Sequence, residues 1–334
     1  MSHPSFLLTA LILAVACTPD PVQETGLETD TDEETDTDEE TDTNEETDTD
    51  EETDTDEETD TDTAPPPLEF DDRAVHAGTD HTCALDAAGV VTCWGADTYG
   101  QATAPSGTFI ALGTNHNTSC AVRTNGDAVC WGPGGAQIKN TAPGPFINVD
   151  VGANHACGLR GSGAIECWGY GKSNDGWPNV GQSIVPNEVF IALDVGYSYT
   201  CGITIDGVAL CWGNNDYGQT STVAGVFTSI SANNLHTCGI TEDQEIRCWG
   251  NNSRGQSTPP KGTFAHVSVG HSHTCAVDTE GAIQCWGNNN KGQATAPAGV
   301  YNHVGAGFEH TCAVEHASGN IVCWGEDAAG QSSP

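Results

Sequence analysis

Residues 81–95 read HTCALDAAGVVTCWG, with two cysteines ten positions apart on either side of a turn. The same phrase recurs as HTCGITEDQEIRCWG at 236–250, HTCAVDTEGAIQCWG at 273–287 and HTCAVEHASGNIVCWG at 310–325. Looser copies end at Gly132, Gly169 and Gly213. The unit alternates short apolar pairs with Gly, Asn, Pro and Thr, a pattern that favours short β-strands.

The CWG triplet gives the repeat its period. It occurs seven times, at Cys93, Cys130, Cys167, Cys211, Cys248, Cys285 and Cys323. Successive spacings are 37, 37, 44, 37, 37 and 38 residues. A period of this size indicates a solenoid, propeller or array in which each repeat is one supersecondary unit.

The full repeat pattern, V-x-x-G-x-x-H-T-C-A-L-x-x-x-G-x-V-x-C-W-G-x-N-x-x-G-Q, resembles the regulator-of-chromosome-condensation repeat. The 37-residue unit is similar to the bacterial short-repeat branch that contains β-lactamase inhibitory protein II. The resemblance covers residues 63–334 and implies an all-β fold, a seven-bladed β-propeller with three or four strands per blade. It implies no single activity, because propellers host unrelated functions.

The paired cysteines can be placed by counting outward from the turn. A three-residue hairpin loop has a positive-φ residue last, and in the first repeat such a loop closes on Asp86 and Val90 with Gly89 last. Cys83 and Cys93 then lie opposite each other, with Cα atoms about 4.5 Å apart if the pair is not hydrogen-bonded. That distance allows a disulfide. Zinc and redox sites favour C-x2-C spacing, which does not occur in the sequence. We therefore predict seven disulfides within repeats: Cys83–Cys93, Cys120–Cys130, Cys157–Cys167, Cys201–Cys211, Cys238–Cys248, Cys275–Cys285 and Cys312–Cys323.

The N-terminus carries an export signal. Residues 6–16 form an apolar run of eleven, too short to span a bilayer and typical of a signal-peptide core. The small residues before Cys17 resemble the lipobox of bacterial lipoproteins, in which the cysteine is acylated and becomes the mature N-terminus. We predict a lipoprotein-type signal peptide at 1–17 and a lipid-anchored protein of the bacterial cell envelope, with a plain secretory signal as the alternative. Either route leads to an oxidising compartment.

Residues 18–62 are dominated by TDTDEE repeats. Between Glu24 and Asp62 there are 23 acidic residues and no basic one. Such a tract cannot bury enough apolar surface to offset its chain entropy, so we predict a disordered linker. From Asp71 onward 22 acidic residues face 9 basic ones, which argues against binding to nucleic acid.

The ends of the repeat region predict how the ring closes. Most repeats are joined by segments such as TAPSGTF at 103–109 and TAPAGVY at 295–301, whereas the last repeat stops at GQSSP. A related segment, TAPPPLEF, precedes the first repeat at 63–70. We expect it to complete the last blade and remove an open edge, so that the propeller domain spans 63–334.

A histidine stands two residues before the first cysteine in five repeats, at His81, His155, His236, His273 and His310. We interpret it as a bracing residue of the repeat rather than a metal ligand. The glycine five before the cysteine, replaced by Asn115 and Asn233 in two repeats, is expected at positive φ. Since no G-x-S-x-G or H-E-x-x-H motif occurs, we predict no catalytic residue, no metal, no cofactor and no enzymatic activity.

Departures from the repeat mark the candidate binding face. The loop of the third repeat carries seven extra residues, including Trp177, the one tryptophan outside a CWG triplet. Large aromatic residues dominate interface energies because they bury much area at little entropic cost. We therefore predict one exposed patch on the G-x-x-H face, made of Tyr170, Trp177, Tyr197, Tyr199 and Tyr217.

Together these features favour a monomeric, exported propeller that binds an extracellular or surface protein. One alternative is a passive structural protein of the cell surface. The other is a carbohydrate-binding or enzymatic propeller, which a cluster of carboxylates in the central channel would favour.

Overall fold

The computed structural model describes residues 74–133, 138, 141–173 and 177–334. The predicted signal peptide, Cys17, the acidic linker and the segment 63–70 lie outside the described residues. The described part contains 21 β-strands, which form seven antiparallel three-stranded sheets. Each sheet is built from one repeat and forms one blade. The predicted all-β, seven-bladed propeller is confirmed, with three strands in each blade.

Strands occupy the same place in every blade. The first strands line the central channel: β1 (Ala74–Ala77), β4 (Phe109–Asn115), β7 (Phe146–Val151), β10 (Phe190–Val195), β13 (Phe227–Asn233), β16 (Phe264–Val269) and β19 (Tyr301–Ala306). The middle strands are β2 (His81–Leu85), β5 (Thr118–Arg123), β8 (His155–Arg160), β11 (Tyr199–Thr204), β14 (His236–Thr241), β17 (His273–Asp278) and β20 (His310–Glu315). The third strands are β3 (Val91–Gly95), β6 (Ala128–Trp131), β9 (Ile165–Gly169), β12 (Ala209–Gly213), β15 (Ile246–Gly250), β18 (Ile283–Gly287) and β21 (Ile321–Gly325).

The middle and third strands form the hairpin that was predicted from the cysteine spacing. Cys83 pairs directly with Cys93 in the ladder, and the turn residue Gly89 has φ of 79°. Blade five places Gln244 at this position with φ of 63°. All seven expected disulfides are present, with Cα atoms 4.0–4.1 Å apart, somewhat closer than the expected 4.5 Å. Each bridge therefore lies within one blade.

The apolar core is divided into seven interfaces between neighbouring blades. At the first interface, Leu85 and Val91 of blade one pack against Phe109 and Trp131 of blade two. An aromatic residue is buried at the start of the first strand in six blades: Phe109, Phe146, Phe190, Phe227, Phe264 and Tyr301. Each apolar cluster therefore contains residues of two adjacent blades.

A repeated set of hydrogen bonds also joins the blades. The carbonyl of Gln219, at the end of blade four, accepts hydrogen bonds from Thr237 (3.0 Å) and the Trp249 indole (2.9 Å) of blade five. Gln331, at the end of blade seven, does the same for Thr82 and Trp94 of blade one, at 2.9 Å each. The last residues of the chain thus close the ring onto its first blade, a contact that the sequence analysis did not predict.

The glycine of the G-x-x-H motif has a steric explanation, and its φ angle does not account for it. Positive φ was expected there, but Gly78, Gly152, Gly196, Gly270 and Gly307 are not among the residues with positive φ, so this expectation is wrong. A Cβ on Gly78 would lie 2.5 Å from Cε1 of the His81 ring and 2.7 Å from the His116 carbonyl oxygen. In blade one, a side chain at this position would therefore have to displace the His81 ring.

Candidate binding site

The repeat histidines lie between blades. In five blades the Nε2 atom is 2.8–2.9 Å from a hydroxyl of the next blade: His81 to Ser119, His155 to Thr200, His236 to Thr274, His273 to Thr311 and His310 to Thr82. Burial lowers the pKa of His310 to about 4 and that of the other four to about 3. These rings are neutral at pH 7 and brace the ring of blades, as their position in the repeat predicted.

Tyr199 takes the place of the histidine in blade four. It is fully buried, and its hydroxyl donates to the His236 carbonyl (2.6 Å) and lies 3.0 Å from the Thr237 hydroxyl of blade five. Burial raises its pKa. The prediction that Tyr199 belongs to an exposed patch is therefore wrong, because this repeat position points into the junction with the next blade.

Two carboxylates meet in the central channel. Asp150 and Asp194 occupy equivalent positions in β7 and β10, and their side chains are hydrogen-bonded to each other. Asp150 accepts the Val195 backbone N–H (2.7 Å), and Asp194 accepts that of Ala232 (3.1 Å). Burial raises the pKa of both carboxyl groups, and the charge of Asp194 raises the pKa of Asp150 further. These shifts favour a state in which the two carboxyl groups share a proton.

The same position in later blades shows what these carboxylates do. Ser231 accepts the Val269 N–H (3.1 Å), and Ser268 accepts the Ala306 N–H (2.9 Å). Each bond runs from one blade to the backbone of the next. The aspartates thus make the interblade contact that serines make elsewhere, and their oxygen atoms are engaged by the protein itself.

Three histidines line the channel in blades one, six and seven. The rings of His266 and His303 are 4.0 Å apart between centroids, and those of His76 and His303 are 5.6 Å apart. Burial lowers the pKa of His76 and His266 to about 4 and that of His303 well below its usual value. In the described part of the chain, no group of three or more His, Cys, Asp or Glu side chains is arranged to hold a metal ion.

The channel opens on the G-x-x-H face through a mouth lined by rings. A cavity of about 290 Å³ is bordered by His116, Tyr197, His271 and Phe308, with Thr79 and Asn234 among the polar lining residues. The ring centroids of His116 and Tyr197 are 5.4 Å apart, and those of His271 and Phe308 are 3.9 Å apart. We call this cavity the mouth cavity. Six of its lining residues stand four residues before the first cysteine of a repeat, and Gly78, Asn115 and Asn233 stand five residues before it.

Trp177 extends one wall of the mouth cavity. Its ring stacks on Tyr197 with a centroid distance of 6.1 Å and an interplanar angle of 9°. The side chain is nevertheless 61% exposed. Trp177, Tyr197 and His116 thus form a row of three rings that runs from the inserted loop of blade three to the channel mouth.

The other residues of the predicted patch fall outside this row. Tyr170 is half-buried, and Tyr217 is exposed near the tip of the blade-four loop. Among the described residues, no ring contact joins either of them to Trp177 or Tyr197. Tyr99 occupies the same loop position in blade one and is also exposed, although the sequence analysis did not single it out.

Sequence reasoning also missed an apolar crescent on the other face. Ile110, Ile147 and Ile191 are each more than half exposed at the second position of β4, β7 and β10. The equivalent residues of blades five to seven are Thr228, Ala265 and Asn302. The isoleucines could have been found by comparing this column of the repeat, because an exposed position gains nothing from a large apolar side chain within the fold.

The comparisons with known proteins agree with the repeat architecture. Residues 73–101, 190–219, 227–256 and 264–293 match the Regulator of chromosome condensation (RCC1) repeat. No curated protein matches the chain in sequence. Four of the seven repeats of the propeller thus resemble the RCC1 repeat.

Several solved structures share the fold. The CRINKLY WD40 ectodomain of the receptor kinase ACR4 from Arabidopsis thaliana is 26% identical, with a TM-score of 0.61 over 75% of this chain and 96% of that chain. The entire ectodomain of the receptor kinase CR4 from Physcomitrella patens is also 26% identical, with a TM-score of 0.64 over 76% and 73% of the two chains. Prp20p from Saccharomyces cerevisiae is 18% identical, with a TM-score of 0.58 over 70% and 80%, and shows the fold alone.

Proposed function

We propose that this chain is an exported, lipid-anchored module of the bacterial cell envelope that recognises a protein through the mouth face. The mouth face comprises the mouth cavity, Trp177 and the surrounding loops. The observation that carries the proposal is the exposed Trp177 stacked on Tyr197 beside a preformed cavity. Exposed aromatic residues next to a pocket are characteristic of interface hot spots.

Export is supported by the chemistry of the propeller. Seven disulfides persist only where thiols are kept oxidised. The two similar plant structures are ectodomains of receptor kinases, so this kind of propeller is compatible with the outside of a cell. In the described residues, no helix has the length and hydrophobicity to cross a bilayer. In this proposal a lipid on Cys17 attaches the protein to the membrane, and residues 18–62 are the tether.

The two carboxylates in the channel give little support to the enzymatic alternative. A catalytic pair must leave an oxygen free to act on a substrate. Asp150 and Asp194 are bonded to each other and to backbone N–H groups of the next blade. Because Ser231 makes the same interblade bond, the position serves the fold, and the mouth face remains the better candidate for recognition.

The proposal is tested by asking which face binds. Biotinylated wild-type protein is used to capture surface proteins of the same organism, in parallel with Trp177→Ala and with Ile147→Ala as the matched control on the opposite face. We expect Trp177→Ala to abolish capture of the partner, since truncation of a hot spot costs about 2 kcal/mol or more. Ile147→Ala should leave capture unchanged. Loss of capture with Ile147→Ala alone would move recognition to the apolar crescent, and no saturable capture by wild type would favour a passive structural role.

A further inference from the structure

We propose that the mouth cavity receives one basic side chain, a lysine or arginine, of the protein partner. This inference rests on the proposed function and specifies the chemistry of the same site. Two neighbouring features support it: the mouth cavity is lined by rings, and acidic residues lie on one side of it.

Four rings line the mouth cavity. Two of them, Tyr197 and Phe308, belong to types whose electron-rich faces attract a cation placed within about 6 Å. His116 and His271 are neutral at pH 7, because burial lowers the pKa of both rings. Neutral imidazoles add ring surface without repelling a cation.

The hydrogen bonds of the two histidines leave a nitrogen for the ligand. Nδ1 of His116 is 3.2 Å from the Thr79 hydroxyl, and Nδ1 of His271 is 2.8 Å from the Ser272 hydroxyl. The Nε2 atoms of these rings have no such contact in the described part of the chain. A neutral ring that donates through Nδ1 carries its lone pair on Nε2 and can accept from an ammonium or guanidinium group.

Acidic residues collect beside the cavity in blades seven and one. Asp80 follows the lining residue Thr79, and Glu309 follows Phe308. The Asp80 charge acts on His116, so it lies within electrostatic reach of the cavity. The loop that contains Asp97 is bonded to the Asp80 carbonyl through Ala96 N–H.

The acidic loop of blade seven adjoins Glu309 in the same way. The Glu326 backbone N–H donates to the Glu309 carbonyl, and Asp327 follows directly. Lys291 is paired with Glu326 at 2.5 Å and offsets one of these charges. An acidic sector therefore lies on one side of the mouth cavity, while Trp177 and Tyr197 form an aromatic wall from blades three and four.

The acidic sector on one side and the aromatic wall on the other determine which kind of side chain fits the cavity. An acidic side chain would be repelled by Asp80 and Glu309, and a purely apolar one would gain nothing from their charge. A cavity of about 290 Å³ is at the lower limit of ordinary ligand pockets and suits the end of one side chain. A basic side chain fits both the aromatic wall and the acidic sector, because its apolar stem packs on the rings while its charge faces the carboxylates.

The test compares charged probes with uncharged analogues of similar shape. Calorimetric titration at low salt uses N-acetyl-lysine amide against the uncharged N-acetyl-norleucine amide, and choline against 3,3-dimethylbutan-1-ol. We expect the lysine amide to bind at least about threefold more tightly than the norleucine amide, and the difference to shrink at 0.5 M salt. Equal affinity of the lysine and norleucine amides overturns the proposal. Binding of choline without binding of the lysine amide also overturns it, in favour of a small quaternary ammonium ligand.

Substitutions test whether the lysine amide binds in the mouth cavity. Phe308→Leu keeps an apolar side chain but removes a ring, and Glu309→Gln removes a charge. Each substitution should weaken binding of the lysine amide about threefold to fivefold. Glu280→Gln, on an exposed hairpin turn of blade six, is the matched control and should have no effect. Thermal melting of each variant establishes that it is folded. If partner capture requires Trp177 but the charged probes show no advantage, the proposed function stands and this inference fails.

Discussion

The Trp94 indole donates a hydrogen bond of 2.9 Å to the Gln331 carbonyl, across 237 positions of the chain. The Thr82 hydroxyl donates to the same oxygen. This carbonyl therefore connects the last repeat to the first. In every other junction that shows this contact, the chain itself continues from one blade to the next, so the closing junction depends more on non-covalent contacts.

Truncation at the C-terminus should open this junction. A chain that ends at Gly325 leaves Thr82 and Trp94 without their acceptor, and buried groups left unpaired cost about 1–3 kcal/mol each. We expect the free energy of unfolding to fall by about 2–5 kcal/mol, measured by urea denaturation. A chain that ends at Gln331 keeps the oxygen and is the control. Equal stability of the two truncated chains would contradict a closing role for Gln331.

The N-terminal segment 63–70 remains the predicted second part of the closure. Among the described residues, the core between blades seven and one contains Val75, Ala84, Cys312 and Val314, without the buried phenylalanine or tyrosine found at the other six junctions. We expect a chain starting at residue 71 to melt at lower temperature and to associate more than one starting at residue 63, by scanning calorimetry and light scattering. Identical melting and association of the two chains would contradict a role for this segment in closing the ring.

Acid should destabilise the propeller below pH 6.5. Eight histidines, five buried between blades and three half-buried in the channel, have pKa values below the usual 6.5. The unfolded chain therefore gains protons as pH falls through 6.5, while the folded chain resists protonation until about pH 3–4 for most of them. Their contribution to stability is complete above pH 6.5 and is lost towards pH 3–4.

Urea denaturation between pH 4 and 8 measures this dependence. His155→Gln keeps a donor towards Thr200 but cannot be protonated, so it should cost about 1 kcal/mol at pH 7.5 and weaken the fall in stability below pH 6.5. An unfolding free energy that stays constant from pH 7 to pH 4.5 in the wild type would contradict the assignment of neutral, buried histidines.

The channel carboxylates should have the opposite pH dependence. The pKa of Asp150 and of Asp194 is raised in the folded state, so the stability that the shared proton confers is present at low pH and is lost as pH rises through the raised values. Asp150→Asn keeps an acceptor for Val195 N–H without the charge. We expect it to stabilise the protein by about 1–3 kcal/mol at pH 8 and much less at pH 4. Asp206→Asn, on an exposed turn, is the control; a loss of stability at pH 8 for Asp150→Asn would contradict the shared proton.

The lipid anchor can be tested independently of the propeller. Metabolic labelling with a fatty acid should mark the wild-type protein, and Cys17→Ser should release it from the membrane fraction. This follows from the resemblance of the N-terminus to a lipobox, in which the cysteine is acylated. A wild-type protein that is unlabelled and freely secreted would leave the plain signal peptide as the correct alternative.

The features that sequence reasoning predicted well are local. The pairing of Cys83 with Cys93 follows from counting residues around one turn, because hairpin register depends on the loop alone. The seven-bladed fold follows from the period. Trp177 was identified because it lies outside the repeat, and such residues are free of the demands of the fold.

The features that it missed depend on neighbouring blades. Tyr199 was placed on the surface because its environment is set by blade five, which the repeat pattern does not describe. His116, His271 and Phe308 stand in a variable column of the repeat, and only the curvature of the ring brings them to one cavity. The acidic pair in the channel arises in the same way, from residues 44 positions apart.

The placement of the disulfides also determines how the propeller would yield to mechanical load. Each bridge joins residues 10 or 11 positions apart in one hairpin, and none in the described chain joins two blades. Pulling on the two ends can therefore peel blades away one at a time, without breaking a covalent cross-link. A 37-residue repeat would release only about 27 residues, or ~95 Å of contour length instead of ~130 Å, because its hairpin stays locked. A tethered protein of this kind extends in short steps and keeps one closed hairpin loop in every repeat, from which the blade can rebuild when the load is removed.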